Sequence, residues 1–340
     1  MTDRPTTYSA GDQGQGLDLD LAGDGDLDRD ALTSWLRSAA HPLASVDPRA
    51  SLGDLGPLEA MLGDADVVGL GESVRGARSG HELYRLKHRV LRLAVERLGF
   101  RSMTLEESAE TGMAMDEYVL TGDGDPQALL ASSAWGPWQT EEFLDVLLWM
   151  RAFNVEHPDD VLRVVGIDTG GTHVLARNTL AWLDHSGDRI VYWGGLAHTA
   201  LGKANVNSFP PLQESSTTGP SDGSVLRDEL GDRYVSVGVT CHHGLELPPP
   251  PAHFAESVLG AVGLERYLLD LHAPVPDEVR RWLTAPATTR VIGPLFEPDD
   301  NDAYNMSGGS LADWFDVIAH VQEITPVHRL ADAVTKLRPY

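Results

Sequence analysis

The sequence predicts an α/β fold with a mostly parallel central sheet flanked by helices, and three observations carry that prediction. Five short runs rich in Val and Ile have the length of buried strands: residues 66–71, 102–105, 162–167, 189–193 and 234–240. The stretches between them are long enough for helices and carry apolar residues at helical spacing, the alternation that parallel sheets require. Each run also breaks off into chemistry-bearing residues: Glu72, Glu106, Asp168, His198 a little further on, and Cys241, His242 and His243. In open parallel sheets ligands bind outside the carboxyl ends of the strands, so the five ends predict one catalytic crevice.

Taken in chain order, residues 1–28 are rich in Gly, Asp and Thr and bury too little apolar surface to offset their ordering entropy, which predicts a disordered acidic tail. Residues 29–340 are expected to form one α/β domain. Helical spacing begins at residues 28–36. It is clearest over residues 81–98, where Leu83, Leu86, Val90, Leu93 and Leu98 recur before Gly99, a helix stop. Further helices are expected at 109–120, 140–153, 176–183, 254–262, 276–283 and 310–323, with a strand at 289–293. Residues 203–224, with Pro210, Pro211 and a Ser/Thr-rich run, read as an irregular surface loop, and Pro248–Pro251 as a second break.

With 51 acidic against 26 basic residues and a net charge of −25, the chain is a poor partner for a polyanion, which excludes nucleic acid as an expected ligand. No apolar run approaches membrane-spanning length. The amino terminus lacks a basic segment followed by an apolar core, so no secretory signal is expected. Cys241 is the only cysteine, which rules out an internal disulfide and suits a reducing cytoplasm.

Several collinear segments resemble one family. They are Gly-Leu-Gly-Glu-Ser-Val-Arg-Gly (69–76), the helix at 81–92, Leu-Gly-Phe-Arg-Ser-Met-Thr-Leu-Glu (98–106), residues 115–125, Trp-Gly-Pro-Trp-Gln-Thr-Glu-Glu-Phe (135–143) with its continuation to 154, Val-Gly-Ile-Asp (165–168), and residues 224–234 and 310–321. Together they resemble the erythromycin esterase family, of the ChaN-like superfamily. The resemblance implies a cleft that accepts macrolides and a hydrolysis run by histidines and glutamates without a covalent serine. It implies roles for Glu72, Glu106 and His198, and for Lys87 on the long helix.

Two motif positions depart from that pattern. The family's Gly-Glu-x-x-His has Arg75 in the histidine place, and its His-Asn-x-His has Gly195 in the leading one. An arginine keeps its proton at any working pH and cannot act as a base. The helix between Asp168 and Arg189 is also short, where the esterases carry a longer helical insertion, so a reduced insertion and a more open cleft are expected.

The residues divide accordingly. Glu72 and Glu106 are candidate acid–base groups, His198 a proton relay near neutral pH, and Arg75 either a rim residue or a group that stabilises developing negative charge. Of the adjacent Glu106 and Glu107, one is expected to face the cleft and the other solvent. Asp168 reads equally as a turn-capping carboxylate. Lys87 and His88 lie where a solvated helix face is the usual reading. Strand alternation sends His242 and His243 to opposite faces, where one could replace the lost histidines, although such a pair at a strand end is more often structural or on the surface. His198 with one of that pair and a glutamate would have enough ligands for zinc, but no zinc-binding spacing occurs, so no metal is expected. No dinucleotide or phosphate loop and no serine-hydrolase elbow is present, so no cofactor is expected either.

The expected function is therefore that of a cofactor-independent natural-product tailoring enzyme of bacterial origin. It would act on a polyketide-like or other apolar metabolite by non-hydrolytic acid–base chemistry, as a cyclase, lyase or isomerase. The alternatives are an ester or macrolactone hydrolase using His198 or His242 as base, and a non-catalytic protein that binds an apolar small molecule.

Overall fold

A computed structural model describes residues 29–75, 80–133, 136–168, 170–208, 216–293 and 295–331. The expected acidic tail, residues 1–28, lies outside the described residues. The first helix, α1 (Arg29–Ala39), turns Leu32 and Leu36 inward and is followed by a two-residue strand, β1 (His41–Pro42), and by α2 (Gly56–Leu62). The first predicted strand forms as β2 (Val67–Glu72), buried along its whole length. Next come α3 (His81–Leu98), β3 (Phe100–Leu105), α4 (Ala109–Thr121), α5 (Pro126–Ser132), α6 (Glu141–Glu156), β4 (Arg163–Gly166), α7 (Val174–Ser186) and β5 (Arg189–Gly195). Local chemistry sets the ends of several of these. Gly99 stops α3 in the left-handed region at φ 75°, while the side chains of Ser108 and Thr140 accept from the first turns of α4 and α6.

The second half contains α8 (Leu196–Thr199), β6 (Lys203–Asn207), β7 (Ser216–Pro220), α9 (Asp222–Leu230), β8 (Tyr234–Gly244), α10 (Ala255–Ala261), β9 (Arg266–Asp270), α11 (Asp277–Thr284), β10 (Ala287–Arg290), β11 (Asn305–Gly309), α12 (Leu311–Trp314) and β12 (Val317–Ile324). Eight strands form the large sheet in the order β1-β9-β12-β8-β2-β5-β3-β4. From β12 to β4 every neighbouring pair is parallel; β9 and β1 add antiparallel strands at one edge. Helices cover both faces. Leu83, Leu86, Val90 and Leu93 of α3 join one apolar cluster with Val68, Leu70 and Phe143, while α1, α10 and α11 pack into another with Leu269 and Ile318. This is the predicted α/β class, and no helix among the described residues is long and apolar enough to cross a membrane.

Two segments differ from expectation. The helix predicted over 310–323 is one turn, α12, followed by the central strand β12. Leu311, Trp314, Phe315 and Ile318 keep helical spacing across α12 and the start of β12, and periodicity alone cannot tell a short buried apolar run such as Val317–Ala319 from a helix. The segment 203–224, predicted irregular, contains β6, β7 and the start of α9, while residues 209–215, with Pro210 and Pro211, lie outside the described residues. The two strands pair antiparallel in a second, four-stranded sheet of order β10-β11-β6-β7. That sheet also takes the strand expected at 289–293, which forms earlier, over residues 287–290.

Candidate active site

The site is assembled at the carboxyl ends of β2, β5 and β3, where register does most of the positioning. Glu72, the last residue of β2, stands opposite Gly195 at the end of β5, and Leu105 of β3 stands opposite Trp193. Glu106 therefore follows β3 next to the glycine pair, and its Oε1 accepts from the Gly195 backbone N–H at 3.0 Å and from the Tyr192 hydroxyl at 3.0 Å. Arg75 is fixed by its backbone, whose N–H donates to the Ile292 carbonyl at 2.9 Å. Its Nε donates to Glu72 Oε1 at 2.6 Å and its Nη1 to Glu106 Oε2, so one guanidinium bridges two carboxylates. From α3, Lys87 Nζ reaches the other Glu72 oxygen and the Gly194 carbonyl at 3.1 Å, and lies 4.5 Å over the Trp193 ring.

Two carboxylates and two cations thus neutralise one another out of water, for all four are buried. Burial alone would push the Glu106 carboxyl up, but Arg75, the nearby His198 and the Gly195 N–H together outweigh it and hold Glu106 down at about 2. Burial likewise works against the Arg75 charge, yet Glu106 and Glu72 raise its pKa well above the ordinary value. Lys87 yields further: burial lowers it to about 8 against the pull of Glu72. Burial and the nearby Glu106 push the Tyr192 phenol well up, so it stays a donor.

His198 lies at the mouth of this group. Its helix, α8, approaches β2 closely because Gly71 has no side chain: a Cβ there would lie 2.7 Å from the Leu196 Cα. The His198 side chain is 49 % exposed, and its Nδ1 is 3.8 Å from Asp222 Oδ2 at the start of α9. The surrounding protein opposes protonation, but Glu106 and then Asp222 outweigh it, and the imidazole pKa is raised.

The other predicted residues separate from this cluster. Asp168 is exposed after β4, with a left-handed backbone at φ 63°, and its N–H donates to the Glu107 carbonyl at 2.7 Å. His242 and His243 do not go to opposite faces. Near the carboxyl end of β8 their Nδ1 atoms meet at 2.9 Å, and the His242 ring packs on Gly260 of α10. Among the described residues, neither bonds to Glu72, Arg75, Glu106 or His198. Glu107 is buried, not solvated, and its Oε1 accepts from the Ser108 N–H at 2.8 Å. Lys87 and His88 are buried too: α3 is covered on more of its circumference than its polar residues suggest. Sequence reasoning missed Tyr192, hidden inside a strand run, and Asp222, hidden in the segment read as a loop. The zinc set weighed from His198 and the 242–243 pair is not assembled. Among the described residues, the one group of three with metal-ligand geometry is His81, Glu142 and His328.

Comparisons with known proteins settle the kinship. The profile of the erythromycin esterase family matches residues 95–173 and 171–324, well over half of the chain. The chain belongs to the erythromycin esterase family. A curated relative, an Escherichia coli protein named erythromycin esterase type II, is 26 % identical over 144 residues. Those residues are 41 % of this chain and 33 % of the relative, so the chain matches only about a third of that relative's length. The fold recurs in a Bacillus cereus protein of known structure, at TM-score 0.72 and 20 % identity, covering 89 % of this chain and 99 % of that one. A succinoglycan biosynthesis protein gives TM-score 0.71 at 19 % identity, with the same coverage. The erythromycin esterase EreC, solved as a mutant in its open conformation, gives 0.60 at 12 % identity over 83 % of this chain and 96 % of its own. The family match begins at residue 95, so it includes Glu106, Tyr192, Gly195 and His198, while Glu72, Arg75 and Lys87 come to the site through the structure.

Proposed function

We propose that this member of the erythromycin esterase family is a carboxylic ester hydrolase acting on an apolar small-molecule ester or lactone, with His198 as the group that moves the proton. The observation that carries this reading is the contrast in exposure: His198 is half in solvent, whereas Glu72, Arg75, Lys87 and Glu106 lie sealed beneath it. A substrate arriving from solvent meets the imidazole first.

Neutral His198 would take a proton from water as the water oxygen attacks the ester carbonyl. The imidazolium so formed is favoured by Glu106 and Asp222. It would return the proton to the alkoxide as the carbon–oxygen bond breaks, giving an acid and an alcohol. Arg75 would supply positive charge for the oxyanion. Its Nη2 is buried, has no partner among the described residues, and lies over Gly195.

Non-hydrolytic chemistry, the reading expected from the motif departures, asks Glu72 or Glu106 to remove a substrate proton. That role suits the geometry less. Both Glu72 oxygens are engaged, by Arg75 and Lys87, and Glu106 at about 2 is a weak base. The family kinship points to hydrolysis as well, although the named relative matches this chain over only a third of its own length. The test is incubation with a panel of macrolides, simpler lactones and activated aryl esters, followed by mass measurement. We expect at least one product heavier by one water, and a loss of roughly 10²–10⁴-fold in kcat in His198→Asn, the usual contribution of a positioned proton-transfer group. A panel bound but left intact would replace this reading with that of a binding protein; full activity in the variant would remove His198 from the chemistry.

A further inference from the structure

Away from the buried quartet, three side chains from three separate elements converge beyond the carboxyl ends of the strands of the large sheet. His81 is the first residue of α3, Glu142 lies in the first turn of α6, and His328 follows β12. His81 Nδ1 is 2.6 Å and His328 Nδ1 2.7 Å from the same carboxylate oxygen, Glu142 Oε1, and the two rings stand edge to face with centroids 5.1 Å apart. Neither histidine nor Glu142 bonds to Glu72, Arg75, Lys87 or Glu106 among the described residues. Along α3, His81 precedes Lys87 by six residues, about 9 Å of helix rise.

We propose that His81, Glu142 and His328 form a binding site for a divalent transition metal of the zinc class, with solvent completing the coordination. Two imidazoles and one carboxylate are the donor set that zinc takes at open, three-ligand sites. All three ligand atoms already lie within 4.8 Å of one another. In the metal-free arrangement each Nδ1–H points at Oε1; a bound ion takes the place of both hydrogens, each proton passing to solvent or to the ring's own Nε2, which leaves Nδ1 as a lone-pair donor.

The adjustment needed is small. Metal–ligand distances of about 2.0–2.2 Å at tetrahedral angles separate neighbouring ligand atoms by roughly 3.3 Å, so each nitrogen must withdraw by about 0.7 Å. His328 is free to do so, since its side chain is 62 % exposed, and that exposure leaves a coordination position open to water. Glu142 is already oriented for the role: it is buried, and the His328 backbone N–H donates to its two oxygens at 3.1 and 3.2 Å. Besides holding a solvent molecule near the strand ends, a bound ion would fasten the segment after β12 to α3 and α6. Backbone pairing ties the same segment down, with His81 N–H donating to Thr325 O and Glu141 N–H to His328 O, both at 2.8 Å.

The experiment is titration of tag-free, chelator-treated full-length chain with zinc, followed by calorimetry, and with cobalt, followed by visible absorption. The parent, His328→Ala, His81→Ala and the double variant His242→Ala/His243→Ala are compared. One ion per chain is expected, with a cobalt spectrum of four-coordinate character and a rise in melting temperature on loading. Affinity should fall at least tenfold in each of the His328 and His81 variants and be unchanged in the 242–243 double variant. His328 is mostly in solvent, so its alanine variant keeps the fold, which circular dichroism checks. No stoichiometric binding by the parent, or binding that survives loss of His328 and His81 but not of the 242–243 pair, overturns the proposal.

Discussion

The guanidinium of Arg75 occupies the space that a side chain at position 195 would need. A Cβ on Gly195 would lie 2.8 Å from both Cζ and Nε of Arg75. The backbone there, at φ −81° and ψ 153°, is open to any residue, so it is room and not conformation that demands glycine. Arginine at 75 and glycine at 195, the two positions that depart from the pattern the sequence resemblance implies, are therefore one packing arrangement. The arginine bridges Glu72 and Glu106 across the space in front of Gly195.

This coupling can be measured. Gly195→Ala should destabilise the chain by about 1–3 kcal/mol, the usual cost of an overpacked core position. Arg75→Ala should cost about 3–5 kcal/mol, because two buried carboxylates lose their shared partner. In the double variant the added methyl has room, so the combined loss should fall short of the sum by about 1 kcal/mol or more. Urea unfolding of the four proteins checks this; losses that add to within roughly 0.5 kcal/mol would mean that Arg75 does not exclude a side chain at 195.

With His198 as the proposed base, its raised pKa should set the acidic limb of the pH–rate profile. A neutral imidazole is needed to accept the proton from water, so kcat/KM should fall as pH drops through that raised value. Glu106 and Asp222 are the charges that raise it. Asp222→Asn keeps an oxygen for the Ala176 N–H, which the native carboxylate binds at 2.9 Å, while it removes one charge. The limb should then move to lower pH, and the difference between the two proteins should shrink at high salt because His198 is half exposed. An acidic limb unmoved or moved upward in the variant would separate His198 from the rate.

Much of this was legible in the sequence, for identifiable reasons. Strands such as β2 and β4 are short, rich in Val and bounded by glycine or charge, so period and length agree. Glu72 and Glu106 end such strands, and a parallel sheet brings those ends together whatever lies between them in sequence. The strand β12 was not legible, since Leu311, Trp314, Phe315 and Ile318 carry one helical spacing across α12 and into the strand. Burial of Lys87 was not legible either. Nothing along α3 says that a lysine faces a glutamate fifteen positions earlier, and only the sheet order, which puts α3 over the end of β2, makes it so. Asp222 and Tyr192 share this character, as their value lies in neighbours distant along the chain.

Lys87 offers the last test, because burial makes its charge labile where the other cation's is fixed. Burial lowers it to about 8, whereas Arg75 stays protonated throughout. Below that pH the quartet of Glu72, Glu106, Arg75 and Lys87 is neutral; above it the site carries one uncompensated negative charge. That charge opposes formation of an oxyanion beside Arg75, so kcat should fall on an alkaline limb near pH 8. Lys87→Arg keeps its charge beyond about pH 12, and the limb should vanish from the working range even if the absolute rate is lower. Unfolding cannot mimic the effect, because its sign is opposite. The folded-state pKa of Lys87 lies below the unfolded value of 10.5, so the unfolded chain holds more protons between about 8 and 10.5, and this residue's contribution to stability rises with pH across that window. Melting temperatures taken beside the kcat profile from pH 7 to 10 separate the two: an alkaline limb that persists in Lys87→Arg, with the fold intact, would show that the lysine's charge does not govern turnover.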